Sequence, residues 1–200
     1  MMLIRIQMPR QSDARARMIQ SQALLQRERG IAGTGLPDVI AHSGAPRGSI
    51  YHHFPNGRAE LAEAATQFAS DWITRNLERA LASGDVLTAH QAFIDDWLAI
   101  LRDSQFGAGC AVAAGALAGL PDSGARHAAA AGFRKWERLL RDAFESHGMP
   151  ATRAETLAVL SISSIEGALI LSRAEGSTRP LEQVGDQLQR LIADELMPRN

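Results

Sequence analysis

The sequence predicts an all-α protein of about nine helices, built as an N-terminal three-helix helix-turn-helix domain followed by a larger helical domain. Two observations predict it. Apolar residues recur at three- and four-residue spacings along most of the 200 residues, and no stretch alternates polar and apolar residues for long enough to form a strand. Glycines and prolines gather at a few breaks between long periodic runs. A hydrophobic content of 46% with 22% charged residues is that of a globular chain, which excludes disordered, collagen-like and coiled-coil classes.

The first helix is expected from about Ser12 to Arg29, opened by Ser12 and Asp13 and closed by Gly30. Its apolar positions Met18, Ala23 and Leu25 form a thin stripe interrupted by Gln22. A second, short helix carries Leu36, Val39 and Ile40 on one face and stops at Gly44. Pro46 suits the first turn of a third helix, which runs through Ile50 to about His53 before Pro55 blocks continuation. Two short helices joined by a tight glycine turn behind a longer one make the helix-turn-helix pattern. Beyond Arg58 the helices lengthen. Leu61, Ala65, Phe68 and Trp72 share a face, as do Phe93, Trp97 and Leu101, and then Phe133, Trp136, Leu140 and Phe144. Breaks at 83–85, 104–109, 121–124, 148–150 and 176–180 separate these helices, and two last stripes run from Leu157 to Leu171 and from Leu181 to Leu196.

The formal net charge of −1 argues against a nucleic-acid partner only until it is divided along the chain. Residues 1–60 hold eight arginines against four carboxylates, a balance of +4, and residues 61–200 carry −5. A basic head on an acidic body is what a nucleic-acid-binding module joined to a different functional domain would show. The most apolar region, 109–120, is well short of the roughly 20 residues needed to cross a bilayer. The opening Met1–Met8 contains Arg5 and no small-residue cleavage pattern, so neither a signal peptide nor a membrane partner is expected, and Met8 is an alternative start. The lone Cys110 cannot form an internal disulfide and fits a reducing cytoplasm.

No catalytic set is expected. Cys110 with His127 or His147 has neither an orienting third group nor an oxyanion-hole motif. His52 and His53 are adjacent on a helix, so their side chains diverge, and no third ligand lies nearby; neither a metal nor a cofactor is expected.

The stretch from Ala45 to Phe54, Ala-Pro-Arg-Gly-Ser-Ile-Tyr-His-His-Phe, carries more hydrogen-bonding groups than so short a helix needs. If Ile50 and Phe54 face the core, Arg47, Ser49, Tyr51 and His52 lie on exposed sides, where they suit phosphates and base edges. Gly48 is disfavoured in a helix by about 1 kcal/mol against alanine, and its missing side chain leaves room for close approach of DNA. Thr34, before the second helix, can offer a hydroxyl and a free N–H to phosphate, and Arg58 begins the fourth helix nearby. With Gly30 and Thr34 ahead and Pro55-Asn56-Gly57-Arg58 and Leu61 behind, this run strongly resembles the DNA-binding domain of TetR/AcrR-type transcriptional regulators. Phe106-Gly107-x-Gly109-Cys110 and Ile165-Glu166-Gly167-Ala168 look like the LmrA/YxaF-type subgroup. The sequence departs from the family pattern at Gln22, Gly35 and Pro46.

The resemblance implies a homodimer that binds double-stranded operator DNA and is released by a small-molecule effector, as a cytoplasmic repressor. It matches Thr34, Arg47, Gly48, Ser49, Tyr51, His52 and Arg58 to DNA-contacting positions. Residues 1–11 read as an extension, 12–57 as the helix-turn-helix domain and 58–200 as the ligand-binding and dimerisation domain. An apolar pocket is expected from Trp97, Phe106, Cys110, Phe133, Trp136 and Ile165, which could equally be plain core. Glu166 either orients an effector there or lies on a dimer or solvent face. The last two helices show more apolar surface than a bundle end needs, so Leu157, Ser164, Leu171, Leu188 and Leu191 are expected at a dimer interface, unless they close the monomer core. The alternative function is a ligand-binding or adaptor protein of the same fold without operator binding, which the salt dependence of DNA binding would distinguish.

Overall fold

The computed structural model describes residues 14–82 and 84–196. Among them the regular structure is helical throughout, with no strand: α1 (Ala14–Arg29), α2 (Leu36–Ser43), α3 (Ile50–His53), α4 (Arg58–Leu81), α5 (Val86–Asp103), α6 (Ala111–Ala116), α7 (Ser123–Ser146), α8 (Ala151–Glu175) and α9 (Arg179–Leu196). Short 3-10 turns at Arg47–Ser49 and Leu120–Asp122 lead into α3 and α7. The start signals Ser12 and Asp13, and Met8, lie outside the described residues. Gly44 ends α2 with φ of +64°, a left-handed conformation that a side chain would strain, and so sets the tight turn ahead of α3. Asp85 opens α5 by accepting from the N–H groups of Leu87 and Thr88.

The chain packs as two compact units, and their division differs from the expected one after residue 57. The first unit holds the described residues up to Trp72 together with Cys110–Gly132; the second holds Ile73–Gly109 and the residues from Phe133 onward. Helices α4 and α7 are thus each divided between units. The reason lies in three glycines of the first unit. A Cβ on Gly115 would come within 2.6 Å of Thr66 Cγ2, one on Gly124 within 2.2 Å of Glu63 Oε2, and one on Gly132 within 2.3 Å of Ser70 Oγ. Helix α6 and the start of α7 therefore lie against α4 at a separation that side chains would prevent.

Within the first unit α1 is buried on most of its sides, glutamines included, rather than along a thin stripe. Gln22 Nε2 donates to Gln26 Oε1 at 3.2 Å, and Gln26 Nε2 donates to Thr66 Oγ1 at 3.1 Å and to the Ala111 carbonyl at 3.0 Å. The departure from the family pattern at Gln22 thus begins a polar relay tying α1 to α4 and α6. Leaving such a buried amide unpaired costs about 1–3 kcal/mol, so the relay fixes which faces meet.

The second unit is cored by Val86, Phe144, Met149, Ala154, Leu157, Ala158 and Ile192. Gly185 of α9 admits Ile94 of α5, whose Cγ2 would lie 3.0 Å from an added Cβ. By length and composition α8 could cross a membrane, but Ala154, Leu157, Ser161, Ile165, Ala168, Leu169 and Ser172 bury one of its faces in this unit, the pattern of a core helix. Leu157 and Leu188, expected at a dimer interface, are buried here at 1% and 3% exposure and cannot meet a partner. Leu191 packs against the same core and Ser164 is half-buried.

Candidate nucleic-acid interface and effector cavity

The helix-turn-helix is built on Ile50 and Phe54, which are buried as the spacing predicts and anchor the turn preceding α3 and α3 itself. The guanidinium of Arg15 lies 5.2 Å over the Phe54 ring, a cation–π contact from α1. With these two residues inward, Arg47, Gly48 and His52 are exposed and Tyr51 is 66% exposed. Arg47, Tyr51 and Arg58 line one open groove with Leu36, Pro37 and Ile40 of α2. Ser49 sits beside it half-buried, its hydroxyl donating to the Pro46 carbonyl at 2.7 Å and keeping lone pairs to accept. A Cβ on Gly48 would meet nothing within 4 Å, so packing gives no reason for glycine at this position.

Thr34 and Arg58, both matched to DNA-contacting positions, are engaged within the unit. Thr34 is 1% exposed and its hydroxyl donates to the Gly30 carbonyl at 2.8 Å, closing the turn after α1, so this side chain is not presented to phosphate. The N–H of Gly35 donates to the Asp38 carboxylate at 3.0 Å, which occupies part of the α2 N-terminus with a negative charge. Arg58 donates from one terminal nitrogen to the Ile31 carbonyl at 3.2 Å and from the other to Asp122 at 3.0 Å. Its charge is matched within the unit, and the side chain ties the start of α4 to the 3-10 turn before α7.

The second unit contains a cavity of about 50 Å³, walled by Ile73 and Leu77 of α4, His90, Phe93 and Trp97 of α5, Trp136, Leu140 and Phe144 of α7, Ser161, Ile165 and Glu166 of α8, and Ile192 of α9. Trp97, Trp136, Ile165 and Glu166 meet here as expected. Three expected wall residues do not. Phe133 packs edge-on against Trp136 with ring centroids 5.2 Å apart and is not among the wall residues. Phe106 sits in the turn after α5 at φ of +63°. Cys110 belongs to the first unit, where its Sγ accepts from the Ala113 N–H at the start of α6. His90, Phe93 and Phe144 were legible as wall residues, since positions 90, 93 and 97 share a face of α5 and Phe144 continues the stripe of Trp136 and Leu140. Burial holds the His90 imidazole below its ordinary pKa, opposed by its hydrogen bond with Gln189.

Residues 24–65 match the model of the bacterial regulatory proteins of the tetR family, and residues 86–187 match the LmrA/YxaF-like transcriptional regulator C-terminal domain. The chain is 40% identical over 192 residues to an uncharacterised HTH-type transcriptional regulator of Mycobacterium tuberculosis H37Rv, covering 93% of this chain and 97% of the relative. This protein belongs to the TetR family. HTH-type transcriptional regulator LmrA of Bacillus subtilis is 27% identical to this family member over 90% of the present chain and 97% of its own length. The fold is also that of a TetR regulatory protein from Rhodobacter sphaeroides (TM-score 0.78, 23% identity, 90% of this chain and 98% of that one). A TetR transcriptional regulator from Legionella pneumophila agrees equally well (TM-score 0.79, 21% identity, covering 92% and 99%).

One surface of this TetR-family chain stands out in the second unit. Opposite its buried face, α8 exposes Val159, Leu160, Ile170 and Leu171, with Ser163 and Gly167 between them. Ile170 and Leu171 are 62% and 54% exposed. Leu171 is thus the one expected interface leucine that the fold leaves open to a partner.

Proposed function

We propose that this transcriptional regulator is a cytoplasmic dimer that reads a pseudo-palindromic operator through the surface of Arg47, Gly48, Ser49, Tyr51 and His52, and acts as a repressor released by a small, largely apolar effector. The observation that carries the reading is the exposure of Arg47, Gly48, Tyr51 and His52 on α3 and the turn leading into it, together with a glycine whose conformation and packing do not require it. Arg47 supplies a bidentate donor for guanine or phosphate, and Tyr51 and His52 supply further hydrogen-bonding groups around it.

The exposed apolar face of α8 supports dimerisation, and paired recognition helices about 34 Å apart would meet successive major grooves. The cavity supports release. At about 50 Å³ it holds a few waters, far below the roughly 300–1,000 Å³ of drug-sized sites, so an effector must widen it and thereby favour a different arrangement of the second unit. A coupling of about 1–3 kcal/mol between cavity and operator suffices for a 5–150-fold change in DNA affinity.

The test is competition for duplexes from the DNA flanking the protein's own gene. Arg47→Ala is expected to weaken binding to the selected duplex by about 1–3 kcal/mol at unchanged thermal stability; unchanged affinity would remove Arg47 from the reading surface. Gly48→Ala separates reading from folding. It is expected to leave stability unchanged or raise it by up to about 1 kcal/mol, because nothing blocks the added carbon. Binding should nonetheless weaken by about tenfold in a band-shift titration, the scale of one lost contact.

A further inference from the structure

We propose that the ligand of the second-unit cavity is a small apolar molecule bearing a hydroxyl or N–H group, and that it donates this hydrogen to His90 Nε2. This rests on the reading of the cavity as an effector site. His90 Nδ1 lies 2.7 Å from Gln189 Oε1. An amide oxygen only accepts, so the ring proton sits on Nδ1 and Nε2 presents a lone pair. His90 lines the cavity, and its Nε2 is closed off from water, has no hydrogen-bond partner among the described residues and is reached as a ligand widens the cavity.

Two donors on the wall, those of Trp136 and Ser161, are engaged elsewhere. Trp136 Nε1 donates to Thr74 Oγ1 at 3.0 Å, and the Ser161 hydroxyl donates to the Leu157 carbonyl at 2.7 Å. Neither hydrogen is left for the imidazole. Burial favours the neutral ring, which is the form that accepts at Nε2. Phe93, Phe144 and Ile165 make the wall largely apolar, with the Trp97 indole and Glu166 as its other polar groups, and set the character of the remainder of the ligand. Leucine at position 90 would serve a packed core without leaving a buried acceptor bare, whereas histidine oriented by Gln189 supplies a polar point of recognition on a largely apolar wall.

Cyclohexanol and cyclohexanone have nearly the same size and polarity and differ in whether they can donate. Titrated against the full chain and followed by ligand-observed NMR, cyclohexanol is expected to bind about tenfold more tightly, the equivalent of one hydrogen bond of about 1.4 kcal/mol. In His90→Leu the ratio should fall to about one. The wild-type preference needs no substitution, so a poorly folded variant does not decide the outcome. Equal binding of the two compounds by the wild-type chain, or a preference that persists in folded His90→Leu, overturns the proposal and leaves the cavity as an effector site of another chemistry. Failure of both compounds to bind overturns the cavity reading and this proposal with it.

Discussion

Glutamate at both Leu160 and Leu171 is expected to leave the chain helical and folded but monomeric, and to lower operator affinity by about 100-fold or more. Leu160 and Leu171 are 40% and 54% exposed on α8 and lie outside the second unit's core cluster, so the substitutions remove little from that core. If this face joins two copies, two carboxylates in each copy would have to be buried against their symmetry-related counterparts, which desolvation and like-charge repulsion forbid. One recognition helix then binds alone, and losing the linked second half-site removes the roughly 10²–10⁴-fold gain of bivalent binding. Sedimentation equilibrium and a band-shift titration on the same samples check both halves. A dimer that survives both substitutions would place the interface elsewhere.

Phe144→Ala is expected to be the most damaging single change in the second unit. Phe144 is 1% exposed, belongs to the core of Val86, Leu157 and Ile192, and walls the cavity. Burial loss and the void left behind together cost about 3–5 kcal/mol, a large part of the 5–15 kcal/mol that holds a typical domain folded. The void merges with the existing cavity, so benzene should occupy it and restore part of the loss, as apolar voids do. Hydrogen exchange should rise in α5, α8 and α9 while α1 to α3 keep their protection, because Phe144 belongs to the second unit. Uniform loss of protection, or no response to benzene, would contradict this assignment.

Much of the fold was legible because helix starts and stops are local chemistry. Gly44 ends α2 and α3 stops short of Pro55 as expected, and the spacing of Ile50 and Phe54 identified the inward face of α3. What periodicity could not settle was which of two apolar faces meets the chain itself. Helix α8 is apolar on both sides, so Leu157 and Leu171 look alike in sequence, and only packing separates the buried one from the exposed one. Polar side chains were ambiguous for a related reason. The Thr34 hydroxyl reaches back four residues to a carbonyl, and Arg58 meets Asp122, 64 positions away, a pairing with no local signature. His90 shares a face with Phe93 and Trp97, but an imidazole adds nothing to a hydrophobic period, so only its spacing marks it. The division of the chain was hidden too, since it depends on three glycines that let α6 and α7 approach α4. One term of the charge asymmetry is amended, since Arg58 is neutralised by Asp122 within the first unit.

The central claim is selective reading of double-stranded DNA, and the most direct measurement is fluorescence anisotropy with a duplex from the region flanking the protein's own gene and a scrambled duplex of equal length, over a salt series. The account predicts at least about 10³-fold tighter binding to the former at physiological salt, with both affinities falling steeply as salt rises. Equal affinity for the two duplexes throughout the series would contradict it.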